Sequence, residues 1–329
     1  MLKALCFSLL ALALANTLAL SAAQAQTAPA AAAEPYPAKT IHLVVPWPAG
    51  GDPDIIARLI GQKLAEALGK PVIVENRQGG SGSVGTQSVV RAPADGYTLL
   101  VSSMGIHAMN QFLSRLDYDP AEDVAGVSML VKIPSALVAH PSVPFNDVKG
   151  LVAAAKANPG KLNVASGSNA FRVFLEQLKT ATDINVLYVP YRGSGPAVND
   201  LLGGQVEMLI AGLPAVTPHL KAGKLKVIAV TNARRAAATP NVPTVGETVP
   251  GLEFDNWTGL FVRAGTPRPI IERLNAEVVR ILNLPDVRER IQALGAEPAP
   301  SSADELSAIV KKDAERFGKV IKATGMKAE

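Results

Sequence analysis

The chain has 329 residues, enough for about two domains. It is 48% hydrophobic and 18% charged, a balance that supports packed cores and argues against a disordered chain or a coiled coil. The net charge of +4 is spread out, with no basic run longer than the pairs Arg234-Arg235 and Lys311-Lys312, and aromatic residues make up 5%, so a nucleic-acid surface is not expected.

Met1-Leu2-Lys3 precedes an apolar run over 4–20, and Ser21-Ala22-Ala23-Gln24-Ala25 follows it. A positive start, an apolar centre and a small-residue A-x-A site read as a signal peptide over 1–25, cleaved after Ala25. As a membrane anchor the run is short, since a span needs about 20 residues, and no basic stop-transfer cluster follows. Residues 26–37 are Ala/Pro-rich and read as a flexible leader. Cys6, the single cysteine, lies inside the signal peptide, so the mature chain is expected to carry neither a disulfide nor a thiolate metal site. The expected compartment is the periplasm.

From residue 40 onward, strands and helices alternate. A strand at 41–45 ends at Pro46 and Pro48. Asp52 reads as the N-cap of a helix with Pro53 at its first position and Gly69 at its end. Strands follow at 72–74, 97–101, 126–133 and 136–140. A helix at 148–157, a strand at 162–165, a helix at 170–180, a strand at 186–189 and a short helix at 197–202 come next. Strands at 206–210 and 225–230 precede a Pro-rich loop over 239–250. A strand at 257–262, a helix at 267–282 and a last helix opened by the capping box Ser302-Ala303-Asp304-Glu305 complete the chain. This alternation predicts an α/β protein with largely parallel sheets, whose ligands sit at the carboxyl ends of strands.

The signatures of catalysis and cofactor binding are mostly missing. Gly80-Ser81-Gly82-Ser83-Val84-Gly85 matches G-x-G-x-x-G. The acidic partner expected about 20 residues on is replaced by Ser102-Ser103, so the glycines read as a turn. Gly160-Lys161 and Gly223-Lys224 are each followed by Leu, so neither is a Walker motif. The four histidines are not spaced for a metal: His42 is expected on the solvated face of a strand, His219 on a surface helix, and His107 beside a ligand loop. No G-x-S-x-G elbow occurs. No catalytic residue, metal or cofactor is assigned. What remains is four small-residue loops after strands, at 47–52, 102–107, 166–172 and 191–196. Each opens a helix whose free N–H groups could cradle a carboxylate.

The same residues carry a family likeness. Val45-Pro46-Trp47-Pro48-Ala49-Gly50-Gly51 with Asp54 and Ala57-Arg58 resembles the first-loop signature of the tripartite tricarboxylate transporter substrate-binding proteins, the Bug receptors. Val74-Glu75-Asn76-Arg77, Ala94-Asp95-Gly96-Tyr97-Thr98-Leu99-Leu100, Val189-Pro190-Tyr191, Leu201-Leu202-Gly203-Gly204-Gln205-Val206 and Leu294-Gly295-Ala296-Glu297-Pro298 fit in the same order. The resemblance implies a two-lobed periplasmic binding protein fold, type II, with a ligand cleft between lobes in Venus-flytrap fashion. Lobe one would hold 38–133 and 258–329, and lobe two 134–257.

It further implies a solute-binding receptor, not an enzyme. Such a receptor captures a small carboxylate (dicarboxylate or aromatic carboxylate) and delivers it to the membrane permease subunits of its transporter, as a monomer. The residues implied at the ligand are Trp47, Ala49, Gly51, Asp54, Met104, Gly105, His107, Ser166, Ser168, Asn169 and Tyr191. Arg172, in the first turn after the third loop, is added as a grip for a distal carboxylate, with solvent or Glu176 as its alternative partner. The chain departs from the family pattern at Asp52-Pro53, near Phe171-Arg172 and at Ala211-Gly212, which implies a ligand different from that of typical relatives. An exported hydrolase, or a ligand-sensing partner of a membrane sensor, stays open as an alternative role.

Overall fold

The computed structural model describes residues 36–326; the expected signal peptide with Cys6 and most of the expected leader lie outside the described residues. In chain order, β1 (Ile41–Val45), α1 (Asp52–Leu68), β2 (Val72–Asn76), α2 (Ser83–Val90) and β3 (Thr98–Ser103) come first. A π-helical turn (Gly105–Met109) leads into α3 (Asn110–Leu113) and then the long strand β4 (Val124–Ile133). Next are β5 (Ser135–Ala139), α4 (Val148–Ala157), β6 (Asn163–Ser166), α5 (Asn169–Thr182), β7 (Leu187–Pro190) and α6 (Ser194–Leu202). They are followed by β8 (Met208–Gly212), α7 (Leu213–Lys221) and β9 (Lys226–Val230). The chain ends with β10 (Asn256–Arg263), α8 (Arg268–Leu282), α9 (Pro285–Ala293), β11 (Glu297–Pro298) and α10 (Ala303–Thr324).

The strands form two sheets, one per lobe. The first runs β11-β4-β10-β3-β1-β2 and the second β7-β6-β8-β5-β9. The expectation of largely parallel sheets is corrected to mixed ones. β1 pairs parallel with β2 and β3, and β6 with β7 and β8. β10 is antiparallel to both β3 and β4, and β5 to both β8 and β9. The antiparallel members are the strands that carry the chain between sheets: β4 leaves the first sheet, β5 enters the second, and β10 returns. The passage from β4 to β5, through Pro134 alone, is direct and needs no helical crossover, which is what a parallel pair would require. The two crossings are adjacent, because Asn256 at the start of β10 registers with Ile133 at the end of β4.

α1 shows why its sequence forms a helix there. Ile56, Leu59, Ile60 and Leu64 recur on one face and are buried, and Gly69 closes the helix by donating its N–H to Ala65 O. The core continues past the crossings through an aromatic line. Phe254, on the returning segment, packs against Phe171 of α5 at 5.8 Å and Phe317 of α10 at 6.1 Å between ring centroids.

Of these elements α2, α9 and β11 went unforeseen in the sequence, and α7 was foreseen only as a surface helix carrying His219. α7 and α9 start at Leu-Pro steps with no capping side chain of their own, and β11 is only two residues long. Among the described residues no helix is long and apolar enough to cross a membrane.

Candidate ligand site between the lobes

Four strands end at the cleft, and their following loops meet there. Trp47 and Gly51–Pro53 (after β1), Ser103 (end of β3), Thr258 and Asn256 (β10) and Ile133 (end of β4) line a small cavity from one side. Gly167, Ser168 and Phe171 (after β6) and Ser194 (start of α6) line it from the other. The cavity holds about 30 Å³, room for about one or two water molecules. Outside it lies an open groove of about 480 Å³, lined by Trp47, Gln78–Ser81, Gly167 and Pro190–Arg192. Trp47 and Gly167 belong to both walls.

The lobes are closed on each other. A Cβ at Gly193 would lie 2.5 Å from Pro48 Cδ, and one at Gly195 2.6 Å from Ala49 O, so only glycine lets α6 approach the first loop this closely. Asn169 Nδ2 donates to Asn110 Oδ1 at 3.1 Å across the interface, and Asn110 Nδ2 donates to Ser81 O at 2.9 Å.

The most elaborate contact is made by Asp52. The sequence reads it as the N-cap of α1, but that position belongs to Gly51, which caps with no side chain. Asp52 instead sits inside the helix end and turns across the interface. Gly212 N–H donates to its Oδ2 at 3.2 Å and Ala215 N–H to its Oδ1 at 2.9 Å. These are the donors at the start of α7, where Gly212 itself offers no side chain and Leu213 N–H is already given to Pro134 O. Asp52 thus caps a helix of the opposite lobe. Burial pushes its carboxyl up to about 6, with the Ala215 and Gly212 N–H groups pulling the other way.

Two polar atoms of cavity-lining residues stand out. Trp47 Nε1 and Thr258 Oγ1 are buried, and among the described residues neither finds a hydrogen-bond partner. Buried donors are normally satisfied, so an unsatisfied pair at a cavity wall marks a place for water or ligand.

A family model described as tripartite tricarboxylate transporter family receptor matches residues 56–326. The chain belongs to this family. It is 35% identical over 303 residues to protein BugT of Bordetella pertussis, spanning 90% of this chain and 92% of that one. The solved structure of R. palustris Rpa4515 with adipate is similar at TM-score 0.87 and 34% identity, covering 89% of this chain and 100% of that one. MatC from Rhodopseudomonas palustris with bound malate is similar at TM-score 0.82 and 34% identity, covering 87% and 100%. The two-lobed binding-protein fold is shared with these receptors.

In this receptor the residues singled out from sequence occupy different places. Trp47, Gly51 and Ser168 line the inner cavity, and Trp47 and Tyr191 the outer groove. Tyr191 donates its hydroxyl to Asp200 Oδ2 at 2.6 Å; burial and then the Asp200 carboxylate push its phenol up to about 12. Ala49 and Gly105 touch the opposite lobe, Gly105 facing Ala170. Asp54 is turned into the first loop, accepting from Gly50 N–H, Asn76 Nδ2 and Arg58. Met104 is buried in the core. Ser166 Oγ donates to Ser168 O at 3.1 Å, Ser168 Oγ caps Phe171 N–H, and Asn169 bridges to Asn110.

Arg172 lies over the Tyr188 ring, 5.4 Å from its centroid, and is not among the residues lining either space. His107 stacks on Phe261 at 4.0 Å and on Trp257, and lines a separate groove beside α10. Burial pushes its imidazole down to about 4, so it is neutral there. The π-helical turn rotates it away from the cavity that the loop position suggests. His42 pairs with Glu75 on the neighbouring strand, and His219 sits in the last turn of α7.

Sequence reasoning left out Asp52, Phe171, Ser194, Asn256 and Thr258 as individual site residues. Asp52, Phe171 and Ser194 lay within the flagged loops. Thr258 had no signal beyond its strand, since its role depends on β10 being inserted beside β3.

Proposed function

We propose that this receptor works in the periplasm, closing its two lobes on a small carboxylate and handing it to the membrane subunits of a tripartite tricarboxylate-type transporter. The observation that carries the reading is the pair of buried, unpartnered donors, Trp47 Nε1 and Thr258 Oγ1, at a cavity enclosed by both lobes. Relatives whose solved structures contain adipate and malate support the carboxylate class. The ligand residues are Trp47, Gly51, Ser168 and Tyr191, joined by Phe171, Ser194 and Thr258. The lobes are 38–133 with 258–329, and 134–257, hinged near Pro134 and Asn256. Signal-peptide cleavage after Ala25 delivers a monomer that binds its ligand unchanged and does not turn it over.

Because the closed cavity admits only water, binding requires opening and reclosure. Mass spectrometry of the small molecule that co-purifies identifies the ligand. Calorimetry with mono-, di- and aromatic carboxylates should give saturable heat without turnover. A saturating ligand should also reduce the radius of gyration in small-angle scattering relative to the emptied protein. Absence of binding across that panel would remove the carboxylate class.

A further inference from the structure

The charge of the inner cavity is unexpected for an anion site. Among the described residues that line it, Asp52 is the sole charged one, and no Lys, Arg or His accompanies it. A ligand carboxylate must therefore be held by neutral donors. Trp47 Nε1 and Thr258 Oγ1 are unpartnered, and α6 begins at Ser194 behind Gly193, which brings no capping side chain. The N-terminus of α7 is the other obvious place for an anion, and it is taken. Asp52 accepts from Gly212 N–H and Ala215 N–H there, with 3% of its surface exposed. The remaining wall includes the apolar Ile133, Phe171 and Pro53.

We propose that Asp52 serves as the protein's own carboxylate at the α7 N-terminus, so that this receptor selects ligands with one carboxylate and an uncharged tail over dicarboxylates. The inference rests on the carboxylate reading given above. A helix end stabilises one negative charge, and a second buried nearby is repelled by the first. The groups facing Asp52 do not alter that balance. From α7 they are backbone N–H groups, and from β10 the cavity wall carries the neutral Asn256 and Thr258. On its own helix, Asp54 and Arg58 are bonded to each other and to Asn76. Asp52 is thereby a specificity-determining residue, acting by occupancy and charge.

The test is calorimetry at about pH 7.5 with a length-matched series of hexanoate, adipate and 6-aminohexanoate, on wild type, Asp52→Asn and Asp52→Ala, with melting curves to confirm folding. Wild type should bind hexanoate at least about tenfold more tightly than adipate. Asp52→Ala frees the two N–H groups for a ligand carboxylate and should shift that ratio towards adipate by at least about tenfold; Asp52→Asn removes the charge but keeps one of the two acceptor oxygens, its Nδ2 being a donor, and should shift it less. The proposal is overturned if wild type binds adipate as tightly as hexanoate. It is also overturned if 6-aminohexanoate binds best, which would make Asp52 a counter-ion. A ratio within twofold of wild type in folded Asp52→Ala overturns it too. Should that variant not fold, an unchanged ratio in Asp52→Asn is decisive against it. If none of the series binds, nor any aromatic carboxylate, the carboxylate reading itself falls.

Discussion

The interface between the lobes has two unlike halves. At α7 it is sealed: the Asp52 carboxylate fills the helix end, Thr217 Oγ1 donates to Leu294 O at 3.0 Å, and Lys221 Nζ to Ala293 O at 3.0 Å. At α6 it is left unfinished: Gly193 provides no cap, Trp47 Nε1 and Thr258 Oγ1 lack partners, and an open groove begins at Trp47. The same elementary feature, a helix N-terminus behind a glycine, is completed by the protein on one side and left free beside the cavity on the other. One half holds the lobes together; the other has capacity left for a ligand.

The largest expected effect breaks the sealed half by titration. The Asp52 carboxyl rises from 3.8 to about 6 in the folded, closed chain, so this state binds the proton more tightly than the unfolded one does. Its contribution to stability is fully present below the unfolded value and is lost as pH rises through about 6, a swing of about 3 kcal/mol. Denaturation of wild type and Asp52→Asn between about pH 3.5 and 7.5 measures it. The stability of wild type relative to the variant should fall across that range, and a constant difference would show that Asp52 is not held as described.

A steric break should cost less. A Cβ at Gly212 would lie 2.5 Å from Asp52 Oδ2. Gly212→Ala should destabilise the closed chain by about 1–3 kcal/mol, and adding Asp52→Ala should restore part of that loss. Strict additivity in urea melts would count against the contact.

Removing the cap alone tests the hydrogen bonds. Asp52→Ala leaves two buried donors unpaired, at about 1–2 kcal/mol near neutral pH, where the ionised carboxylate is itself under strain from burial. Asp52→Asn keeps one acceptor oxygen and sheds the buried charge, so at the same pH it should cost less than Asp52→Ala. The reverse order in thermal melts would mean that the charge, not the capping geometry, does the holding.

The smallest effect belongs to the Asn169–Asn110 bridge. Asn169→Ala should cost about 0.5–1.5 kcal/mol, and its loss should speed ligand release more than it slows capture, as read by stopped-flow fluorescence of Trp47 and Trp257.

Much of this was legible in the chain. The periodic apolar face of α1, the capping box at Ser302 and Glu305, and the glycine-bounded loops all rest on local rules, and the structure places those elements within a few residues. The first loop was singled out because loops after strands in α/β sheets are where ligands meet helix ends, and Trp47 as a ligand residue came from the family resemblance. His107 stands apart from the inner cavity: it lies in a π-helical turn, which has no sequence rule, and stacks on Phe261. The Gly80-to-Gly85 motif was read as a turn, and it does make one. It also opens the unforeseen α2 and lines the groove beside Trp47.

By itself, then, the sequence determined the α/β alternation, the likeness to a receptor family and the loops at which recognition gathers, because these depend on periodicity, turn chemistry and motif order. Only the tertiary structure decided what the loops do to each other. Asp52 at the start of a helix is locally a cap for that helix. Whether its carboxylate turns inward or crosses to Ala215, 163 positions away in sequence, depends on how the two sheets are brought face to face. Contacts between residues so far apart leave no local pattern, and here they set which helix end is filled and which remains free.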